Sequence, residues 1–170
     1  MNIKNHLKKV LAVLLCMAVV MTSVAFVSPT AFAEDESTPT TEISQTTKLL
    51  NYAYKQKGKK YKYGGFGPNS FDCIGFVYYV YSHSGAKLKT SMTKKKAYNL
   101  KKNFGKYIVS SNIKKAQAGD IIAYYKGGKT KHAVIAIGNG KCISAKTKGG
   151  VKISKLTGRS GCKAAVIRIV

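Results

Sequence analysis

Acidic residues are scarce in this sequence: six of its 170 residues are Asp or Glu, against 30 Lys and Arg. Four of the six lie between residues 34 and 42, so from Thr46 onward only Asp72 and Asp120 stand against 27 basic residues. A domain with this charge is expected to adhere to polyanions. For an exported protein we expect anionic wall polymers or membrane surfaces as partners rather than a specific nucleic acid. A merely solvated, lysine-rich surface is the alternative.

Histidine is also scarce, at three residues. The His, Cys, Asp and Glu residues do not cluster at the spacing of a metal site, so we expect no metal and no other cofactor. The sequence shows no internal repeat, no sign of a second domain and no recognisable wall-binding repeat. Its length suits one domain of ordinary size.

The first 33 residues have the pattern of a secretory signal peptide. Three lysines in the first nine residues precede an uncharged, mostly apolar run at residues 10–27, and Ala31-Phe32-Ala33 offers the small residues of a cleavage site. A retained membrane anchor is the alternative, but the acidic residues after this site favour cleavage. We expect a secreted or wall-associated protein that begins at Glu34 and keeps no membrane span. Its 27 basic and six acidic residues give a net charge of +21.

Three cysteines remain after such processing, namely Cys73, Cys142 and Cys162. An odd number of cysteines in an exported chain leaves at least one free thiol. Cys142 and Cys162 could form a disulfide with each other and leave Cys73 free. They could equally be small buried residues.

The order of the predicted elements indicates an α+β domain at residues 46–170, after a flexible linker at residues 34–45. Helices are predicted at residues 46–57 and 72–84, and a short basic helix is predicted to end at Asn103. After Gly119-Asp120 the pattern changes to strands. These are predicted at residues 121–125, 132–137, 141–145, 151–154 and 164–170. N-terminal helices packed on an antiparallel sheet are therefore expected.

Cys73 stands at the start of the second predicted helix, after a glycine-rich loop. A helix N-terminus stabilises a thiolate through its unpaired N–H groups, which makes Cys73 a candidate nucleophile. His83 follows ten residues later on the same helix, about 15 Å away at ~1.5 Å per residue, which is too far for a base to this thiol. His132, at the predicted start of the second strand, is the remaining candidate base.

Two parts of the sequence resemble the NlpC-type cell-wall cysteine peptidases. The first is Tyr61-Lys62-Tyr63-Gly64-Gly65 followed by Phe71-Asp72-Cys73-Ile74-Gly75-Phe76-Val77. The second is Ala118-Gly119-Asp120-Ile121-Ile122 followed by His132-Ala133-Val134-Ile135-Ala136-Ile137-Gly138-Asn139-Gly140-Lys141. The resemblance extends from about Thr46 to Val170. It implies a papain-like fold in which Cys73 attacks a peptide carbonyl and His132 acts as general base and then as general acid.

The resemblance also implies a substrate and further site residues. The substrate would be the peptide stem of bacterial peptidoglycan, cut at the bond between D-glutamate and the diamino acid. Tyr61 falls on the active-site tyrosine of the family, near the developing oxyanion or the substrate. Asp72 falls on the acidic residue before the nucleophile, where it could contact the substrate amine as well as cap the helix. Asp120 matches a structural turn.

Two positions depart from the family pattern. Its usual Asp-Cys-Ser-Gly is Asp72-Cys73-Ile74-Gly75 here, so an apolar side chain replaces a hydroxyl beside the nucleophile. The third catalytic position, twelve residues after the histidine, is Ser144. A serine hydroxyl can accept a hydrogen bond from the imidazole, but it should stabilise imidazolium less than a carboxylate does.

Together these observations predict a monomeric, secreted cysteine endopeptidase. The cationic surroundings are expected to help keep the Cys73 thiolate ionised, in opposition to the Asp72 carboxylate. Two alternatives remain. One is a catalytically impaired, cationic wall-binding protein. The other is an amidase with the same fold that cuts between the sugar and the first amino acid.

Overall fold

The structure is a computed structural model that describes residues 43–170. The predicted signal peptide and all but the last three residues of the predicted linker lie outside the described residues. Within residues 43–170, no helix is both long and apolar enough to cross a membrane.

The helices are α1 (Gln45–Tyr54), α2 (Cys73–His83), α3 (Lys94–Ala97) and α4 (Leu100–Asn103). The strands are β1 (Lys60–Tyr61), β2 (Ser70–Phe71), β3 (Ile108–Ser110), β4 (Ile121–Lys126), β5 (Lys129–Gly138), β6 (Lys141–Lys146), β7 (Gly150–Lys155) and β8 (Lys163–Ile167). Short 3-10 turns occupy Gly105–Tyr107 and Ile113–Lys115.

Six strands form one antiparallel sheet in the order β3-β8-β4-β5-β6-β7. The predicted hairpin between β5 and β6 is present at Gly138-Asn139-Gly140, and all three residues have positive φ, a conformation that glycine adopts without strain. A separate pair, β1 and β2, is parallel. Helices packed on an antiparallel sheet confirm the predicted α+β class.

The helix boundaries follow from their caps. α1 begins at Gln45, the last residue predicted as linker, because the Ser44 hydroxyl accepts a hydrogen bond from the Thr47 N–H (3.1 Å). The prediction of one continuous basic helix is wrong: it is divided into α3 and α4. The Asn99 side chain accepts from the Lys102 N–H (3.3 Å) and starts a second helix instead of continuing the first.

The sheet is apolar on both faces. The face that meets the helices forms the main core. Its members on the four central strands are Ile121, Ala123, Ala133, Ile135, Ile143, Ala145, Ala165 and Ile167. The alternate residues form a smaller core on the other face, made of Ile122, Tyr124, Val134, Ala136, Cys142 and Val166. Successive side chains of a strand point to opposite faces, which accounts for both sets.

Asp120 fixes the start of β4. Its buried carboxylate accepts hydrogen bonds from Nε and Nη2 of Arg168, both at 2.8 Å. The Tyr81 hydroxyl of α2 donates to the Gly119 carbonyl (2.5 Å). The predicted structural turn at Gly119-Asp120 therefore ties the Cys73 helix to the central strands.

Candidate active site

The Cys73 segment is fixed by local hydrogen bonds. Asp72 caps α2, with Oδ1 accepting from the Gly75 N–H (2.6 Å) and Oδ2 accepting from the Gly64 N–H (3.0 Å). The Asp72 N–H donates to the Gly65 carbonyl (2.9 Å). A Cβ at position 75 would overlap that same carbonyl oxygen, so only glycine fits where the loop crosses the first helical turn. Cys73 is thereby held at the N-terminus of α2, as predicted.

Tyr61 reaches the nucleophile through a pairing that the sequence did not predict. β1 pairs in parallel with β2, which lies directly before α2. Two backbone hydrogen bonds of 2.9 Å join residues 58–59 to Val151 of β7 on the other side. Burial and the nearby Cys73 raise the pKa of the Tyr61 phenol. Its hydroxyl is therefore protonated near neutral pH and available as a hydrogen-bond donor.

His132 is the fourth residue of β5, and the prediction that it opens the strand is wrong. Pairing across the turn at Gly127-Gly128 extends the strand back to Lys129. The register partner of His132 is Tyr124 of β4, whose ring is stacked on the imidazole with centroids 6.0 Å apart. The Tyr124 hydroxyl donates to the Thr157 carbonyl (2.6 Å). The imidazole thus rests against an aromatic ring that is itself tethered.

Cys73, His132 and Tyr61 line one open cleft with a volume of about 320 Å³. The cleft lies where β5 and β6 part. The two strands pair along residues 135–138 of β5, and the end of β5 that carries His132 lies beyond this pairing. The structure therefore brings three of the five predicted site residues into one cleft.

The sulfur of Cys73 lies next to the histidine strand. The backbone N–H of Ala133, the residue after His132, is close enough to this sulfur to lower the pKa of the thiol. Backbone N–H groups of Cys73 and Ile74 act in the same direction. The nucleophile and the strand that carries the candidate base are thus in direct contact.

Ser144, the predicted third catalytic residue, is not joined to His132. Its hydroxyl is fully buried and has no hydrogen-bond partner among residues 43–170. The expected hydrogen bond between the imidazole and this hydroxyl is therefore not formed. A catalytic role for Ser144 stays a prediction.

The two neighbours of Cys73 in sequence serve the fold. Both carboxylate oxygens of Asp72 accept backbone hydrogen bonds, so its helix-capping role is confirmed and its substrate contact stays a prediction. Ile74 is partly buried against the main core. Where the family pattern has a serine hydroxyl, this chain has an apolar side chain that packs on the core.

His132 is uncharged near neutral pH. Burial, with smaller contributions from Arg159 and Lys146, lowers its pKa to about 4. A neutral imidazole has a free lone pair and can accept a proton from a thiol. Its protonation state therefore suits a general base.

Cys73 is a thiol rather than a thiolate at rest, and the expectation that its cationic surroundings keep it ionised is wrong. Burial raises the pKa of the thiol, the Ala133 N–H lowers it, and the Asp72 carboxylate raises it again, with a net upward shift. The cations lower the pKa of His132 instead. The two groups are thus a neutral pair, and the proton must move during the reaction.

One aromatic and four cationic residues of the cleft were missed from the sequence. They are Tyr124, Lys131, Lys146, Lys155 and Arg159. Tyr124 would follow from the strand register, which the sequence alone does not give. The four cations come from different elements of a lysine-rich chain, and no sequence signal separates them from the rest.

Cys142 and Cys162 are both free thiols, which decides between the two alternatives left open by the sequence. Cys142 is buried in the smaller core, and Cys162 packs partly buried against it.

Within residues 43–170, no three His, Cys, Asp or Glu side chains converge as they would at a metal site.

These features define a papain-like α+β domain, in which a cysteine at a helix N-terminus meets a histidine on an antiparallel sheet. The NlpC/P60 family model matches residues 58–169. The chain belongs to the NlpC/P60 family, and both the predicted fold and the resemblance are confirmed.

Relatives in sequence are larger proteins. The probable endopeptidase p60 of Listeria welshimeri is 35% identical over 112 residues, which cover 65% of this chain and 19% of that protein. A probable endopeptidase of Corynebacterium glutamicum is 31% identical over 124 residues, which cover 73% of this chain and 53% of that protein. The chain thus matches about a fifth of the first relative and about half of the second.

Solved structures share the fold. The NlpC/p60 domain of the peptidoglycan hydrolase SagA has a TM-score of 0.52 and 29% identity, covering 72% of this chain and 98% of that one. RipD of Mycobacterium tuberculosis, a non-catalytic NlpC/p60 domain protein with an adaptation to peptidoglycan-binding function, has a TM-score of 0.56 and 18% identity. It covers 75% of this chain and 98% of its own.

Proposed function

We propose that this protein is a secreted cysteine endopeptidase that hydrolyses the stem peptides of bacterial peptidoglycan, at the bond between D-glutamate and the diamino acid. The observation that carries the proposal is the meeting of Cys73 and His132 in one cleft of a domain of the NlpC/P60 family. The net charge of +21 outside the predicted signal peptide supports retention on the anionic wall.

The first step follows from the protonation states. Neutral His132 takes the thiol proton as the Cys73 sulfur attacks the peptide carbonyl. The developing oxyanion would be stabilised by the Cys73 backbone N–H and the Tyr61 hydroxyl. The imidazolium then gives its proton to the departing amine, which leaves a thioester on Cys73. Water, with its proton taken by His132, hydrolyses the thioester and restores the thiol.

The test is digestion of purified muropeptides by the wild-type protein and by Cys73→Ala, with products identified by mass spectrometry. We expect the wild type to release fragments whose masses place the cut after D-glutamate, and Cys73→Ala to release none. Identical product profiles for the two proteins would contradict the proposal.

A second candidate function is wall binding without catalysis. It is favoured by the buried Ser144 hydroxyl, which makes no hydrogen bond to His132, and by the existence of a non-catalytic protein with this fold. Salt-sensitive retention on isolated walls, together with no cleavage at any pH, would support this function. Turnover that depends on Cys73 would exclude it.

The same digestion separates a third candidate, an amidase. Cleavage between the sugar and the first amino acid yields intact stem peptides and peptide-free glycan. Cleavage within the stem leaves a dipeptide on the sugar. The two sets of product masses do not overlap.

A further inference from the structure

Four cationic side chains line the cleft that holds Cys73 and His132. They are Lys131, Lys146, Lys155 and Arg159. Lys131 precedes the histidine on β5, Lys146 and Lys155 end β6 and β7, and Arg159 lies between β7 and β8. Of the described residues that line the cleft, none is acidic.

The described chain offers these cations no carboxylate. Residues 43–170 contain only two acidic side chains, Asp72 and Asp120. Asp72 accepts hydrogen bonds from Gly64 and Gly75, and Asp120 forms the ion pair with Arg168. Positive charge in the cleft is therefore not neutralised by any side chain that the structure describes.

Two of the four cations are close enough to act on the histidine. Arg159 and Lys146 both lower the pKa of His132. The Lys146 ammonium is half-buried and donates to the Ser154 hydroxyl at 2.8 Å, which holds it on the wall of the cleft. A lysine that is fixed by a neutral partner keeps its charge and its other two N–H donors for a ligand.

We propose that Lys131, Lys146, Lys155 and Arg159 form a carboxylate-binding subsite, so that the enzyme selects acidic stem peptides with free carboxyl groups over the same peptides with carboxamides. The inference rests on the proposed function, because it specifies the substrate of that site. A guanidinium can hold a carboxylate through two parallel hydrogen bonds, and an ammonium acts as a point charge. A carboxamide carries no charge, and its N–H groups would face the N–H groups of the cations. It therefore cannot form the same charge-assisted hydrogen bonds.

The test compares two synthetic stem tetrapeptides, one with free carboxyl groups and one with each carboxyl converted to a carboxamide. We expect kcat/KM to be at least about tenfold higher for the acidic peptide, the ratio that corresponds to one charge-assisted hydrogen bond. Lys146→Met and Arg159→Gln should reduce this preference mainly through KM. Lys102→Met removes the same charge from another surface and should leave the preference unchanged.

Binding to Cys73→Ala, measured by isothermal titration calorimetry, separates this inference from the proposed function. Tighter binding of the acidic peptide supports the subsite even if the wild type cuts neither peptide, which would overturn only the proposed function. Equal affinities, or a preference that survives both Lys146→Met and Arg159→Gln, would overturn the subsite whether or not cleavage occurs. Loss of polyphosphate binding in these variants, with an unchanged peptide preference, would assign the cations to wall polymers instead and also overturn it.

Discussion

The segment that carries Cys73 and the strand that carries His132 are held in place in different ways. Around Cys73, residues 64–75 are joined by hydrogen bonds of 2.6–3.0 Å and by the close passage of Gly75 under Gly65. His132 is held by the register of β5 with β4 and by the stacked ring of Tyr124. The nucleophile is fixed by its own neighbours in sequence, whereas the base is fixed by residues from other strands.

This difference bears on what each half of the site tolerates. The Cys73 half depends on geometry that one added methyl group would break. The His132 half depends on burial and charge. Substitutions near His132 should therefore change the pKa of the imidazole before they lower the stability of the fold.

The largest expected effect is that of Gly75→Ala. The added methyl would overlap the Gly65 carbonyl and force the loop away from α2, which should lower the free energy of unfolding by about 3 kcal/mol or more. Urea denaturation followed by circular dichroism measures the loss. Gly105→Ala is the matched control, because a Cβ there meets open space and should change stability by less than about 1 kcal/mol. Equal losses in the free energy of unfolding of the two variants would contradict a rigid segment around Cys73.

The second prediction is a loss of stability in acid caused by His132. Its pKa is lowered from 6.5 to about 4 in the folded state, so between these values the unfolded chain binds a proton that the folded chain does not. The stabilisation of the folded state by neutral His132 is fully present above pH 6.5 and is lost as the pH falls toward 4. Discounted for the partial exposure of the ring, it amounts to about 2 kcal/mol. Unfolding of the wild type and of His132→Gln, compared across this range, should show a shallower slope in the variant. Parallel curves would contradict the low pKa.

The third prediction compares Tyr124 with Ser144 as the group that positions His132. Tyr124→Leu removes the stacked ring, and aromatic pairs of this kind contribute about 1 kcal/mol. We expect kcat to fall by about fivefold, KM to change little, and the acid limb of the pH profile to move to higher pH as the imidazole gains water. Tyr124→Phe keeps the ring and should retain the profile.

Ser144→Ala is the matched comparison. Because the Ser144 hydroxyl has no hydrogen-bond partner in the part of the chain that the structure describes, its removal should leave both rate and pH profile close to wild type. A larger loss from Ser144→Ala than from Tyr124→Leu would show that the serine meets the imidazole during the reaction, and would restore it as the third catalytic residue.

The smallest effect is expected from Asp72→Asn, measured as the rate of Cys73 alkylation. The Asp72 carboxylate raises the pKa of the thiol, so its neutralisation should lower that pKa and speed alkylation by iodoacetamide at neutral pH. The amide oxygen can still cap α2, which limits the loss of stability. The Cys73→Ala protein reports the background from Cys142 and Cys162. Slower alkylation would mean that the variant has disturbed the helix N-terminus.

The two halves also differ in how far the sequence could predict them. The cap at Asp72, the position of Cys73 and the hairpin at Gly138-Asn139-Gly140 follow from local residue preferences, and all three are present. The parallel pair of β1 and β2 joins segments ten residues apart, and neither strand is long enough to show a pattern.

The histidine half was less predictable for a physical reason. Strand pairing across the sheet determines where β5 starts and which ring stacks on His132, namely that of Tyr124. It also determines that Arg159 lies in the cleft. The direction of the Cys73 pKa depends on burial, which composition does not report. From the charge of the chain we expected the cations to lower the pKa of the Cys73 thiol. In the folded cleft they lower the pKa of His132 instead.

We propose that Cys73 and neutral His132 together cut an acidic stem peptide. The most direct test is the initial rate of cleavage of one such peptide by the wild type, Cys73→Ala and His132→Gln, between about pH 4 and 8. We expect one cut by the wild type, a rate that rises from the acid limb near pH 4 to a plateau across neutral pH, and a loss of about four orders of magnitude in each variant. Cleavage that persists in either variant, or a wild type that cuts at no pH, would contradict it.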